Sequence, residues 1–147
     1  MPPLVVALAW ALLMLFLHWL DSPLLDFNFY DRRTLALSFL FMGVAVAVAG
    51  LYQFQRAQTT VDPRRSAKAS RLVTGGVYRS TRNPMYLGMA FTLLAWGFYL
   101  GSLLPLLFMP LFLIYLTKFQ IIPEEQVLLR RFGGSFHTYR RTVRRWL

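Results

Sequence analysis

The chain has 147 residues, the size of one domain, and 56% of them are hydrophobic at a mean hydropathy of +0.46, more apolar than a water-soluble core requires. Lys and Arg number 16 against 6 Asp and Glu, a net charge of +10, yet only 15% of residues are charged, so the positive charge is gathered into short stretches between apolar runs. Cysteine is absent, which excludes disulfides, thiolate metal sites, iron–sulfur clusters and cysteine nucleophiles, and His18 and His137 have no ligand spacing for a transition metal.

The first apolar run, residues 3–20, carries no charge and is about long enough to cross a hydrocarbon core of roughly 30 Å. No Lys or Arg precedes it and no small-x-small site follows, so it reads as a retained span and not a cleaved signal. A polar, aromatic-rich connection from Asp21 to Arg33 leads to a second span, residues 35–54, whose Gly43, Ala45, Ala47, Ala49 and Gly50 form a surface for close helix packing. Residues 55–83 are too basic for lipid, with Pro63, Gly75 and Gly76 as breakers. Residues 85–100 and 103–122 read as two further spans joined by a tight turn at Gly101-Ser102, with Pro105 tolerated in a first turn and Pro110 kinking the second arm.

Pro123-Glu124-Glu125 has the chemistry of a helix start. The tail beyond it carries six arginines and is divided by Gly133-Gly134. In its second piece Phe136, Tyr139, Val143 and Trp146 recur at helical spacing between Arg140, Arg141, Arg144 and Arg145, the pattern of a basic amphipathic helix lying at a membrane interface. The expected fold is therefore all-α, a polytopic membrane bundle of about four spans with a helical C-terminal tail. The central segment holds seven Lys and Arg and the tail six, against two in the 21–33 connection. By the positive-inside rule both basic segments are expected to face the cytoplasm and to meet on one surface, which is where an active site is expected. No nucleic-acid-binding motif accompanies the charge, and nothing in the sequence speaks to oligomeric state.

The densest group of unusual residues is Gly75-Gly76-Val77-Tyr78-Arg79-Ser80-Thr81-Arg82-Asn83-Pro84-Met85-Tyr86-Leu87-Gly88, followed by Pro123-Glu124-Glu125 and the stretch from Phe132-Gly133-Gly134 to Trp146-Leu147. This set resembles the isoprenylcysteine carboxyl methyltransferase and phospholipid methyltransferase family over residues 72–147. Asn83 stands where isoprenylcysteine enzymes usually carry His, and the short chain is similar to the compact bacterial branch. The resemblance implies S-adenosylmethionine as methyl donor, bound on the cytoplasmic side by segments 72–88 and 118–147, and a lipid-like or isoprenoid acceptor, either a carboxylate or a phospholipid amine.

In that role Arg82 is suited to fork onto the donor's carboxylate, with Asn83 supplying amide donor and acceptor. Pro84 fixes entry into the hairpin helix, Tyr78 and Tyr86 offer aromatic faces, and Gly76 and Gly88 allow close backbone approach. Glu124 or Glu125 accepts from the ammonium or ribose, or takes a proton from an amine acceptor. Arg140, Arg144 or Arg145 holds a carboxylate acceptor. The soluble alternative is closed, because no GxG turn of a doubly wound fold occurs in the chain. Two other readings fit parts of the pattern: a membrane sterol-reductase-like oxidoreductase using NADPH, and a non-catalytic lipid-binding module.

Overall fold

The computed structural model describes residues 2–20, 31–57 and 71–147. Most of the connection between the first two spans, and Arg64, Arg65 and Lys68 of the central basic segment, lie outside the described residues. Every regular element among the described residues is helical: α1 (Pro3–Leu20), α2 (Arg32–Arg56), a 3-10 turn (Gly76–Arg79), α3 (Pro84–Leu100), α4 (Leu103–Leu107), α5 (Met109–Leu116), a π turn (Thr117–Ile121) and α6 (Ile122–Thr142).

α1, α2 and the run that begins at Leu103 are long and apolar enough to span a membrane, and α3 is a shorter apolar helix. The protein is thus a membrane helical bundle of about four spans. Its outer surface is inverted relative to a soluble protein: Leu4 is 72% exposed, Phe41 77% and Trp19 79%, as lipid-facing positions allow.

Small residues bring α2 and α3 together. A Cβ on Gly43 would lie 2.8 Å from the Gly88 carbonyl oxygen, and one on Gly88 would lie 2.7 Å from that of Gly43 and 2.8 Å from Ala47 Cβ. Gly50 sits over Pro84 in the same way. Ala45, expected on this surface, is instead exposed, because it falls on the opposite side of α2 from Gly43 and Gly50. α1 packs on α3 and α4 through buried Met14 and through Trp96, whose Nε1 donates to the Ala11 carbonyl at 3.2 Å.

Gly101, at φ 73°, ends α3 in the left-handed region and turns the chain into α4. The hairpin's second arm breaks at Phe108, just ahead of Pro110, which has no N–H to continue the ladder. Pro123 does not start a new helix from a loop as the sequence suggests. The chain arrives already helical and passes through the π turn, closed by Ile122 N–H on the Thr117 carbonyl.

α6 bends at Gly133, where φ 50° and ψ −120° are accessible only to glycine. The second piece then folds back over the 3-10 turn. Phe136, Tyr139 and Tyr78 form a small core there with Phe54, Leu72 and Leu128 around it. The tail helix is one turn shorter than its periodicity predicts: it ends at Thr142, and Val143 is extended. Arg144, Arg145 and Trp146 therefore belong to a non-helical strap, and Trp146 leaves the aromatic edge to pack on the main membrane core.

Candidate active site

The bundle is open at the end where α1 and α3 begin and α2 finishes. A cavity of about 790 Å³ lies there, walled by apolar residues of α1, α2 and α3 such as Leu4, Ala7, Val44, Val48 and Met89, and floored by polar side chains from the 72–86 segment and α6. Tyr78, Arg82, Asn83, Tyr86, Gly88, Glu124 and Glu125 all line it. Two segments 38 residues apart in sequence, as measured from Tyr86 to Glu124, thus meet in one place.

Arg82 is a largely buried charge on this floor. Its side chain is 9% exposed, and Nη1 lies 3.1 Å from Glu125 Oε1, a contact of charges not aligned as a hydrogen bond. Nε and Nη1 are buried with no hydrogen-bond acceptor among the described residues. Burial pulls the Arg82 pKa down, partly offset by Glu125 and reinforced by Arg145. A guanidinium in this state retains its charge, so beyond the Glu125 ion pair its unused donors leave room for a further acceptor.

Glu125 is already engaged. Arg145 forks onto it, Nε to Oε1 at 3.0 Å and Nη2 to Oε2 at 2.8 Å, and the bond raises the Arg145 pKa. Of the two glutamates, Glu124 is the one outside any ion pair among the described residues. Two residues beyond the 103–122 run that the sequence reads as a span, Glu124 faces the cavity and accepts a 2.5 Å hydrogen bond from Tyr86 Oη. Burial raises its pKa to about 7 against the lowering effect of that bond, with Glu125 adding to the rise.

Other expected residues take different places. Gly76 and Pro84 are outside the cavity lining. Gly76, at φ 57°, comes close to Gln53, whose side chain occupies the space of a Cβ, and Pro84 opens α3 buried against Gly50. Gly88 lines the cavity, yet its tight approach is to Gly43 of α2. Asn83 donates from Nδ2 to the Arg145 carbonyl at 2.9 Å, so its amide holds the strap. Arg140 and Arg144 do not come to the floor as their selection as acceptor-holding residues anticipates: both side chains are exposed and neither lines the cavity. The helix ends before Arg144, which turns that side chain outward while Arg145 turns in.

Tyr139 and Thr81 are not among the site residues expected from the sequence but build the site. Tyr139 Oη donates to the Tyr78 carbonyl at 2.7 Å, and the Thr81 hydroxyl donates to the Arg145 carbonyl at 3.3 Å. Burial raises the pKa values of both Tyr78 and Tyr139. Only the aromatic spacing of the tail hinted at Tyr139, and nothing local marked Thr81.

The fold and site together define a membrane helical bundle holding a polar-floored cavity at one end of apolar walls. Residues 31–135 match the phospholipid methyltransferase family, and the chain belongs to that family. It is 32% identical over 125 residues to a protein-S-isoprenylcysteine O-methyltransferase of Schizosaccharomyces pombe, a match covering 83% of this chain and 52% of that protein. The chain thus spans about half the length of that relative. It is also 41% identical over 63 residues, 43% of this chain, to the full length of an uncharacterized protein of Haemophilus influenzae. No solved structure matches.

Proposed function

We propose that the protein transfers the methyl group of S-adenosylmethionine to a hydrophobic, lipid-like acceptor, an isoprenylcysteine-type carboxylate or a phospholipid amine. The observation that carries this reading is a buried guanidinium with unused donors beside a carboxylate outside any ion pair among the described residues, both on the cavity floor. Arg82 presents buried donors with no acceptor, and Glu124 presents a carboxylate bound only by Tyr86 among the described residues. An amino-acid end, one carboxylate and one ammonium, satisfies both. Tyr78 and Tyr86 add aromatic surface compatible with a positive sulfur. Membership of the family supports methyl transfer as the reaction, and the name of the yeast relative supports a carboxylate acceptor.

When bound, the donor supplies a methyl carbon activated by its sulfonium. The protein's own work is alignment and exclusion of water. Arg82 and Glu124 hold one end of the ligand, the apolar walls keep solvent from the hydrocarbon above it, and no side chain has to act as a covalent nucleophile. The positive-inside pattern supports placing this floor at the cytoplasmic face of a bacterial inner membrane.

Calorimetric titration of the detergent-purified protein tests the donor. S-adenosylhomocysteine is expected to bind and NADPH not to; binding of NADPH alone would transfer the site to reductive chemistry.

A further inference from the structure

Burial along the fourth span steps through Met109, Phe112, Leu116 and Ile121, intervals of three, four and then five. A regular α-helix would bring residue 119 or 120 to the core next, but Phe119 is 57% exposed and Gln120 only half-buried, while Ile121 is fully buried. The five-residue step is the extra residue of the π turn. Beyond it the helix is rotated by about 100° relative to an uninterrupted α-helix. That rotation is what turns Glu124, Glu125 and Leu128 toward the cavity. Pro123 favours the widened turn, since it has no N–H for the Phe119 carbonyl and its ring would crowd that group in a regular helix.

The π turn is tied down from outside its own helix. Thr117 Oγ1 donates to the Leu113 carbonyl at 2.7 Å and accepts from Trp146 Nε1 at 3.1 Å. Trp146 arrives on the strap, whose neighbouring residues hold the rest of the floor. Arg82 N–H donates to the Arg144 carbonyl at 3.0 Å, Asn83 to the Arg145 carbonyl, and the Arg145 side chain forks onto Glu125.

We infer that residues 143–146 form a strap whose Trp146–Thr117 hydrogen bond keeps the π turn in register, making Trp146 and Thr117 positioning residues for Glu124 and Glu125. The inference rests on the donor reading above for its functional consequence, and on geometry alone for its structural one.

The test uses Trp146→Phe and Thr117→Val, which remove the bond while keeping ring and branched volume, and Thr117→Ser, which restores the hydroxyl. Two measurements are made on each full-length protein in detergent: amide hydrogen exchange over residues 122–128, and affinity for S-adenosylhomocysteine. Exchange is expected to quicken in Trp146→Phe and Thr117→Val. Affinity should fall roughly tenfold in each, with no further loss in the double variant because one bond is shared. Thr117→Ser should match the wild type in both readouts. Unchanged exchange in the first two variants overturns the inference. So does faster exchange with unchanged affinity, which leaves the strap a merely structural tie. If the wild type itself fails to bind S-adenosylhomocysteine, the donor reading falls, and the exchange pattern alone decides whether the strap sets the register of α6.

Discussion

Glu124 is the residue whose behaviour discriminates most sharply between a working site and an incidental cluster. Its pKa is raised to about 7 by burial, with Tyr86 bonding its charged form and pulling the other way. A carboxyl with a raised pKa is protonated at mildly acid pH, so an ammonium loses its counter-charge as pH falls through 7. S-adenosylhomocysteine affinity is therefore expected to strengthen between pH 6 and pH 8 with a midpoint near 7, and Glu124→Gln should be weak and flat across that range. The same shift has the opposite sign for folding. Stability from the protonated form is complete below the unfolded carboxyl's pKa and is lost as pH rises through about 7, so Glu124→Gln should gain stability relative to the wild type above that pH. A wild-type titration that tracks the Gln variant at every pH would deny Glu124 any contact with the ligand's cation. The residue types of the floor were legible in the sequence as a motif. Which glutamate is left outside an ion pair among the described residues was not, because that depends on Arg145 reaching Glu125 from 20 residues away.

Among the elements, α6 shows where periodicity stops being informative. The apolar rhythm of the tail correctly places Phe136 and Tyr139 on the buried side, since each turn of a helix repeats its face. It wrongly extends that rhythm to Trp146, because the strap's carbonyls bond to Arg82 and Asn83 once the chain leaves the helix. Gly133 makes the fold-back possible. Its backbone occupies a region closed to other residues, yet among the described residues no atom apart from its chain neighbours and its own helix backbone lies within 4 Å of where a Cβ would stand. Gly133→Ala is thus a pure backbone perturbation, expected to weaken docking of the second half of α6 by roughly 1–3 kcal/mol. Amide exchange over residues 136–142 should rise while α1, α2 and α3 keep their protection; equal loosening throughout would show that the tail is not a separate unit.

At the scale of the whole molecule, α1 and α2 both lie against α3 and leave an apolar cleft between them. A second cavity of about 700 Å³ fills this cleft, lined by Leu12 and Leu15 of α1 and by Leu37 and Leu40 of α2. It shares Leu8, Ala11, Thr92 and Leu93 with the polar-floored cavity, so the two cavities adjoin along the bundle. Under the proposed function this is the route by which a lipid acceptor enters from the bilayer. The chain has no native cysteine, so cysteines placed at Leu12 and Leu40 can be bridged specifically by a bifunctional thiol reagent. Bridging is expected to leave S-adenosylhomocysteine affinity within about twofold of the unbridged protein and to lower labelling of lipid extract by at least about tenfold. Undiminished labelling would mean that acceptors enter elsewhere.

Taken alone, the order of residues settles the environment and the parts. Charge confined to short stretches between uncharged runs of span length requires a membrane bundle, and the Arg-Asn-Pro and Pro-Glu-Glu elements name the chemistry available at its polar end. Tertiary structure decides which of those parts act together. One additional residue in a helical turn rotates two glutamates into the cavity, and an extended strap brings Arg145 in while leaving Arg140 and Arg144 outside. Neither follows from local periodicity, because both depend on hydrogen bonds between segments dozens of residues apart.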